Sequence, residues 1–280
     1  MASASDTLSL CKILSESKRI IRANLHHFQA LTALFILPLS LCLVIYPIIF
    51  QPTLPSPSES TKSPNQYLVT TLFSIFVSLL SLCAFATISY STYNGFYGEP
   101  VSLMASIKSL FSSFLPLLST TLVTEFVTVL IFIPSMLLLL LVYKWLHGHF
   151  LTFLIFTILV YIVLLMHLQV SWLLAYAVVV VENKWGYEAL KRSVYLVKGN
   201  RGVALSSVLY FGVITGLFYF AFYGIELRSW AFLVYMIFGS FYLSLFLLLN
   251  FVGIVVLYVY CRDLHEGLPL ENTKNWPLLK

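Results

Sequence analysis

Charged residues are scarce in this sequence. Only 10% of its 280 residues are Asp, Glu, Lys or Arg, whereas 60% are hydrophobic. A soluble domain carries about 25% charged residues and about 45–50% apolar ones. A soluble fold of this length could not hide so much apolar surface, because its exterior must still be wetted. The composition therefore predicts a membrane protein whose surplus apolar surface faces lipid.

Recognisable catalytic and metal-binding motifs are absent as well. The 4 cysteines form no CxxC pair and no Cys–His cluster with the spacing of a zinc site. The sequence has no G-x-S-x-G elbow, no H-E-x-x-H and no P-loop. No basic arm interleaved with aromatic residues suggests a nucleic-acid partner. We therefore expect a protein that is not an enzyme, holds no cofactor and no metal, and has the lipid bilayer as its partner.

What the sequence does contain is a set of long apolar runs, each longer than the roughly 20 residues needed to cross a bilayer. The six runs are Ala30–Phe50, Tyr67–Tyr90, Ser113–Tyr143, Phe150–Val181, Val203–Gly224 and Trp230–Tyr260. Lipid forces backbone groups to pair within each segment, so each run is expected to be one helix. We predict an all-α, polytopic bundle of six transmembrane helices over residues 29–260, with tails at 1–28 and 261–280.

The basic residues are unevenly shared between the two sides of the predicted bundle. Four lie in the N-terminal tail, one in the second connection, five in the fourth and three in the C-terminal tail, whereas Lys62, Lys144 and Arg228 lie on the opposite side. Basic residues concentrate on the cytoplasmic side of membrane proteins. Both termini are therefore predicted to be cytoplasmic, and the Pro-containing stretch Gln51–Asn65 is predicted to be an irregular linker on the other side.

Three segments on the cytoplasmic side have apolar residues at helical spacing and charged residues between them. They are Thr7–Phe28, Val101–Phe111 and Trp185–Val197. In the third segment the predicted apolar stripe comprises Tyr187, Leu190, Val194 and Val197. This pattern is typical of amphipathic helices. We predict three amphipathic cytoplasmic surface helices, each preceding a pair of spans.

The stretch Val178–Gly202 carries a resemblance to known proteins. Its motif combines Glu182, Gly186, Ala189, Leu190, Arg192, Ser193, Gly199 and Arg201. This motif resembles the membrane domain of bacterial glycerophosphoryl diester phosphodiesterases. The whole chain is similar to an uncharacterised family of plant six-span transmembrane proteins.

The resemblance implies a membrane domain without enzymatic duty. In those bacterial proteins the phosphodiesterase chemistry belongs to a separate soluble barrel, and here no segment outside the predicted spans exceeds about 30 residues. On resemblance alone, the chain is expected in the endoplasmic reticulum or the plasma membrane.

Three polar residues are predicted to lie at membrane depth. Measured along the helices at 1.5 Å per residue, Glu125, His167 and Asn250 lie about 18, 21 and 15 Å from the cytoplasmic ends of their runs. Ionisable residues at such depth normally face the bundle and have a partner. We predict an intramembrane cluster of these three residues. It is a proton- or substrate-binding site, a pocket for a lipid headgroup, or a set of interhelical hydrogen bonds that fixes packing.

A second group consists of basic residues on the cytoplasmic side, namely Lys191, Arg192, Lys198 and Arg201. With Trp185 and Tyr187 as interfacial anchors, they could attract anionic lipid, or they could only set topology.

Two hypotheses for function therefore stand. The first is a non-enzymatic membrane protein that organises lipids or protein partners, whose identity is unknown. The second is a small transporter or lipid carrier with a polar midplane site around Glu125 and His167.

Overall fold

The computed structural model describes residues 8–49, 64–99, 101–145, 150–221 and 233–266, and this part of the chain contains helices and no strands. The helices are α1 (Leu10–Ala23), α2 (Leu25–Leu31), α3 (Leu37–Ile49), α4 (Pro64–Phe96), α5 (Leu103–Trp145), α6 (Phe150–Trp172), α7 (Ala175–Glu182), α8 (Tyr187–Val197), α9 (Arg201–Ala221) and α10 (Ser240–Glu266). Short π-helical turns, Thr32–Ile36 and Tyr235–Gly239, precede α3 and α10. The predicted all-α class is confirmed.

Six helical segments in the described residues are long and apolar enough to cross a membrane. They are Leu25–Tyr46, Tyr67–Phe96, Leu103–Leu141, Thr152–Glu182, Arg201–Ala221 and Tyr235–Glu266. The predicted number of spans is thus confirmed, and the chain is a multi-pass membrane protein. The helical segment of the first span begins before the predicted Ala30, and that of the sixth continues beyond the predicted end at Tyr260 as far as Glu266. The predicted ends at Phe50, Gly224 and Trp230, and residues 51–63 of the predicted linker, lie outside the described residues.

The fourth span is not the single continuous helix that was predicted. Helix α6 ends at Trp172, and α7 begins at Ala175 after a two-residue turn. At this break the hydroxyl group of Ser193 donates a hydrogen bond of 2.8 Å to the carbonyl oxygen of Ser171. In an uninterrupted helix, that carbonyl would accept from the amide of residue 175. Insertion of a side chain into the backbone ladder is a recognised cause of helix kinks.

The prediction of a separate surface helix over Val101–Phe111 is wrong. Helix α5 runs without interruption from Leu103 through Ser113 and along the third span. A hydrogen bond joins this segment to α4, because the Ser106 hydroxyl lies 2.9 Å from that of Ser91. Its apolar residues Leu103 and Phe111 are exposed.

Helices α1 and α8 form, and both contact the bundle. Helix α1 buries Ile13, Ser17 and Ile20, and it contacts α10. Helix α8 buries Ala189, Leu190, Ser193, Leu196 and Val197. The predicted stripe on α8 is therefore partly wrong, because Tyr187 and Val194 are exposed while Leu190 and Val197 are buried.

Helix α10 lies at the centre of the core. It contacts α1, α3, α4, α7 and α8. In its second half, Val252, Val255, Val256 and Val259 are all fully buried. In lipid, helices associate through close packing and interhelical hydrogen bonds rather than through the hydrophobic effect. Accordingly, small residues lie at the contacts: Gly253 on α10 faces Ser17 of α1, and a Cβ there would come within 3.8 Å of the serine hydroxyl.

Candidate functional site: a polar network and free basic residues at one end of the bundle

One end of the bundle carries α1, α8 and the C-terminal ends of α4 and α10; we call it the basic end. Its polar network is centred on Glu182, the last residue of α7. The carboxylate of Glu182 accepts hydrogen bonds from Lys184 Nζ at 2.9 Å, from Arg192 Nε at 3.1 Å to each oxygen, and from the Tyr258 hydroxyl at 3.0 Å. Tyr258 is fully buried. One carboxylate thus joins the turn after α7, helix α8 and helix α10.

Arg192 carries the network from α8 to the end of α10. Besides contacting Glu182, its guanidinium donates a hydrogen bond to Glu266 and lies 5.7 Å from the centre of the Tyr195 ring. Burial alone would lower the pKa of Arg192, but the hydrogen bonds to Glu182 and Glu266 outweigh burial and raise it. The guanidinium therefore remains charged and held between two acids.

A second arginine, Arg262, links α10 to α4. Its Nη1 donates to the Tyr93 hydroxyl at 2.9 Å and its Nη2 to the Tyr97 hydroxyl at 2.7 Å. The guanidinium also lies 5.4 Å from the centre of the Tyr93 ring and 3.5 Å from the carboxylate of Asp263. Burial raises the pKa of Tyr97 to about 12, against the opposing field of Arg262, so this phenol donates or accepts hydrogen bonds as a neutral group.

The motif singled out in the sequence supplies the backbone geometry of this end. Asn183 ends α7 in a left-handed conformation with φ 55°, and Gly186 begins α8 with φ 61°. The amide of Gly186 donates a hydrogen bond of 2.9 Å to the Thr120 hydroxyl, which ties α8 to α5. Gly199, with φ 108°, lies in the turn that leads into α9. Among the other motif residues, Ala189, Leu190 and Ser193 are buried.

The four basic residues predicted to contact lipid divide into two kinds. Arg192 is held by Glu182 and Glu266, and its side chain is only 20% exposed. By contrast, Lys191, Lys198 and Arg201 are exposed. Within the described part of the chain, these three form no ion pair or side-chain hydrogen bond. Of the four predicted residues, these three are available to a negatively charged ligand.

The predicted cluster at membrane depth is not assembled. Glu125 and His167 are exposed on the outside of the bundle, and Asn250 is half-buried. No hydrogen bond or ion pair joins the three among the residues that the structure describes. The expectation that Glu125 and His167 face the bundle is therefore wrong. An aromatic contact between Phe132 and Tyr161, with ring centres 5.9 Å apart, nevertheless shows that α5 and α6 lie side by side seven residues beyond Glu125 along α5.

Sequence reasoning missed most of the network. Tyr258, Arg262 and Glu266 were not predicted, although they recur every four residues along α10 and so share one helix face. Tyr93 and Tyr97 have the same spacing at the end of α4. A ladder of tyrosine, arginine and glutamate at the end of an apolar span is the signal that could have indicated them.

The chain matches a known protein family, although no curated protein and no solved structure matches it. A family described as Domain of unknown function (DUF8558) matches residues 56–268, a stretch that includes α4 to α10 and every residue of the polar network. The chain belongs to this family, DUF8558.

Proposed function

We propose that this chain is a non-enzymatic, multi-pass membrane protein that binds anionic lipid headgroups at the cytoplasmic leaflet. The observation that carries the proposal is the division of basic residues on and beside α8. Arg192 forms ion pairs within the protein, whereas Lys191, Lys198 and Arg201 are exposed. Internal contacts hold the helix, and the free cations are presented outward.

The exposed face of α8 has the composition of a membrane-interface surface. Lys191 lies on α8, and Lys198 directly follows the helix; the seven residues between them are two helical turns, so Lys198 lies at the end of the same face. Tyr187 and Tyr195 are exposed beside them, and Trp185 is exposed just before the helix. Tyrosine and tryptophan are enriched at membrane–water interfaces, where their rings lie at headgroup level. We infer that this face lies at the headgroups.

The proposed topology supplies the side of the membrane. Thirteen of the 16 lysines and arginines lie in the segments assigned to one side, which is the bias of cytoplasmic segments. The cytoplasmic leaflet is also the one rich in anionic lipids. Each basic residue near such a surface contributes about 1 kcal/mol, so three contribute about 3 kcal/mol, or about a hundredfold in affinity.

The state of Glu182 supports the non-enzymatic proposal. Both of its oxygens already accept hydrogen bonds from cations, and the carboxylate is shared by three structural elements. A general base must be free to take a proton from a substrate. The resemblance of the motif to a non-catalytic membrane domain points the same way.

The carrier hypothesis finds less support. It requires a cavity lined by Glu125, but that side chain is exposed on the outside of the bundle. A groove of about 430 Å³ does lie on the outer face of α5. It is lined by Leu115, Pro116, Leu118, Ser119, Leu122 and Trp185, a set that does not include Glu125.

The test compares lipid binding by full-length protein in detergent. Phosphatidylserine and phosphatidylcholine would be titrated separately, and bound lipids counted by native mass spectrometry. We expect the wild type to prefer phosphatidylserine, and the triple variant Lys191→Gln/Lys198→Gln/Arg201→Gln to lose about a hundredfold of that affinity.

A charge-matched control is Lys18→Gln/Arg22→Gln/Lys108→Gln, which removes three exposed cations from α1 and α5. It should retain most of the preference. Unchanged phosphatidylserine binding in the first variant, or an equal loss in the control, would contradict a site on α8.

A further inference from the structure

The spans of α5 and α6 leave an unusually large apolar surface outside the bundle. In the most apolar stretch of each, only 0% and 6% of residues are buried, compared with 61% for the sixth span. On α5 the exposed residues include Leu122, Phe126 and Val129, and on α6 they include Phe156 and Val163. We call this surface the α5–α6 face.

Two ionisable residues interrupt the α5–α6 face. Glu125 lies between Leu122 and Val129 on α5, and His167 lies one turn beyond Val163 on α6. Both side chains are exposed, and neither forms a hydrogen bond or ion pair within the described residues. An ionisable group directed into hydrocarbon is costly, so such residues normally have a partner. The fold leaves both the acid and the base of this face without one.

The two residues lie at the same depth. Helices α5 and α6 are antiparallel, because Phe132 contacts Tyr161 while Thr120, further back on α5, contacts Gly186, further along the chain. From the Phe132–Tyr161 contact, Glu125 is seven residues back and His167 six residues onward. At 1.5 Å per residue, these steps are about 10 Å and about 9 Å in the same direction.

We propose that the α5–α6 face is covered by a second copy of this chain, with Glu125 of each copy hydrogen-bonded to His167 of the other. A face that carries both an acid and a base is self-complementary, as a two-fold interface requires. Both copies insert in the same orientation, so the two-fold axis lies along the membrane normal and preserves depth. Reciprocal pairing is then possible only because Glu125 and His167 lie at one level.

The chemistry of the pair suits a membrane interior. A protonated carboxyl group donates to a neutral imidazole nitrogen, and a carboxylate accepts from an imidazolium, so the two side chains hydrogen-bond in either arrangement. The surrounding leucine, valine and phenylalanine side chains exclude water from the contact. Two such pairs in each dimer give a partner to both ionisable residues that each copy exposes on the α5–α6 face.

The test measures dimerisation of full-length protein in phosphatidylcholine vesicles. Copies labelled with a donor or an acceptor fluorophore would be reconstituted together, and energy transfer measured over a range of protein-to-lipid ratios. We expect the wild type to dimerise, and Glu125→Leu and His167→Leu each to weaken the dimer by about tenfold or more, since each removes both pairs.

A charge exchange tests the reciprocal geometry and does not depend on the leucine variants. Glu125→His and His167→Glu should each dimerise less well alone than the wild type, because base then faces base, or acid faces acid, and neither pair can gain the attraction of opposite charges. A mixture of the two should regain wild-type energy transfer, since both contacts then join an acid to a base. The matched control is Gln169→Leu, which removes another exposed polar group about 200° round α6 from His167 and should leave the dimer unchanged.

A monomeric wild type would overturn the proposal and leave the face to lipid or to a different protein. Leucine variants that dimerise like the wild type would overturn the role of the pair. Failure of the mixture to regain energy transfer, with both variants folded, would overturn the reciprocal arrangement.

Discussion

Replacing Arg192 by glutamine should destabilise the fold far more than the same replacement of its neighbour Lys191. Arg192 donates to both oxygens of Glu182 at 3.1 Å and also to Glu266. A hydrogen bond to a charged group contributes about 1.5–3 kcal/mol. The Glu266 side chain is 39% exposed, so solvent screening reduces that second contact to less than about 1 kcal/mol.

The expected cost of Arg192→Gln is therefore about 2–3 kcal/mol. It does not reach the values seen for isolated buried charges, because Glu182 keeps its hydrogen bonds from Lys184 and Tyr258. Lys191→Gln, at an exposed position without a partner among the described residues, should change stability by less than about 0.5 kcal/mol.

The assay is reversible unfolding of purified protein in mild detergent micelles titrated with sodium dodecyl sulfate and followed by circular dichroism. In lipid binding the order of the two variants should be reversed. Lys191→Gln should weaken phosphatidylserine binding, whereas Arg192→Gln, as long as it is folded, should not. Equal stability of Arg192→Gln and wild type would refute the reasoning that this arginine holds α8 in place.

Two backbone features at the basic end give further predictions. Gly186→Ala should lower the free energy of unfolding by about 1–3 kcal/mol in the same assay, because a φ of 61° strains an L residue, although the nearest atom, on Val123, leaves room at 4.0 Å. Gly202→Ala, at a helical position with nothing within 4 Å, should be neutral or slightly stabilising. An equal loss of stability in both variants would contradict the conformational explanation. Ser193→Ala should cost about 1 kcal/mol or more, since it leaves the Ser171 carbonyl without its buried donor. Ser206→Ala removes only a bond within its own helix and should cost less than about 0.5 kcal/mol, so similar values for the two serines would argue against the role of Ser193 at the α6–α7 break.

The spans could be predicted because their signal is local. A run of some 20 apolar residues has few alternatives in lipid, and all six runs were found. Boundaries that depend on distant contacts could not be predicted. The break after Trp172 occurs where the Ser193 hydroxyl donates a hydrogen bond to the carbonyl of Ser171, 22 residues earlier in the chain. No glycine or proline in the sequence marks this position.

The polar network shows the same limit. Glu182 and Arg192 were singled out through their motif, but their joint contact with Tyr258 and Glu266 spans more than 70 residues of sequence. Depth along a helix could be estimated by counting residues, and the same counting from the Phe132–Tyr161 contact puts Glu125 and His167 at similar levels. Direction around the helix could not, because the apolar residues of α5 and α6 are spread on all sides and give no periodicity that distinguishes lipid from core.

The proposed lipid site and the proposed dimer are connected through α5. The hydrogen bond from Gly186 to Thr120 joins the start of α8 to α5 only five residues before Glu125. A two-fold axis along the membrane normal places both α8 helices at the same leaflet, so a dimer presents six free cations on and beside α8 instead of three. Because electrostatic attraction to an anionic surface grows with the number of cations held near it, the dimer should bind phosphatidylserine-rich membrane more tightly than the monomer. Phosphatidylserine should in turn strengthen dimerisation, since coupling between two binding equilibria is reciprocal.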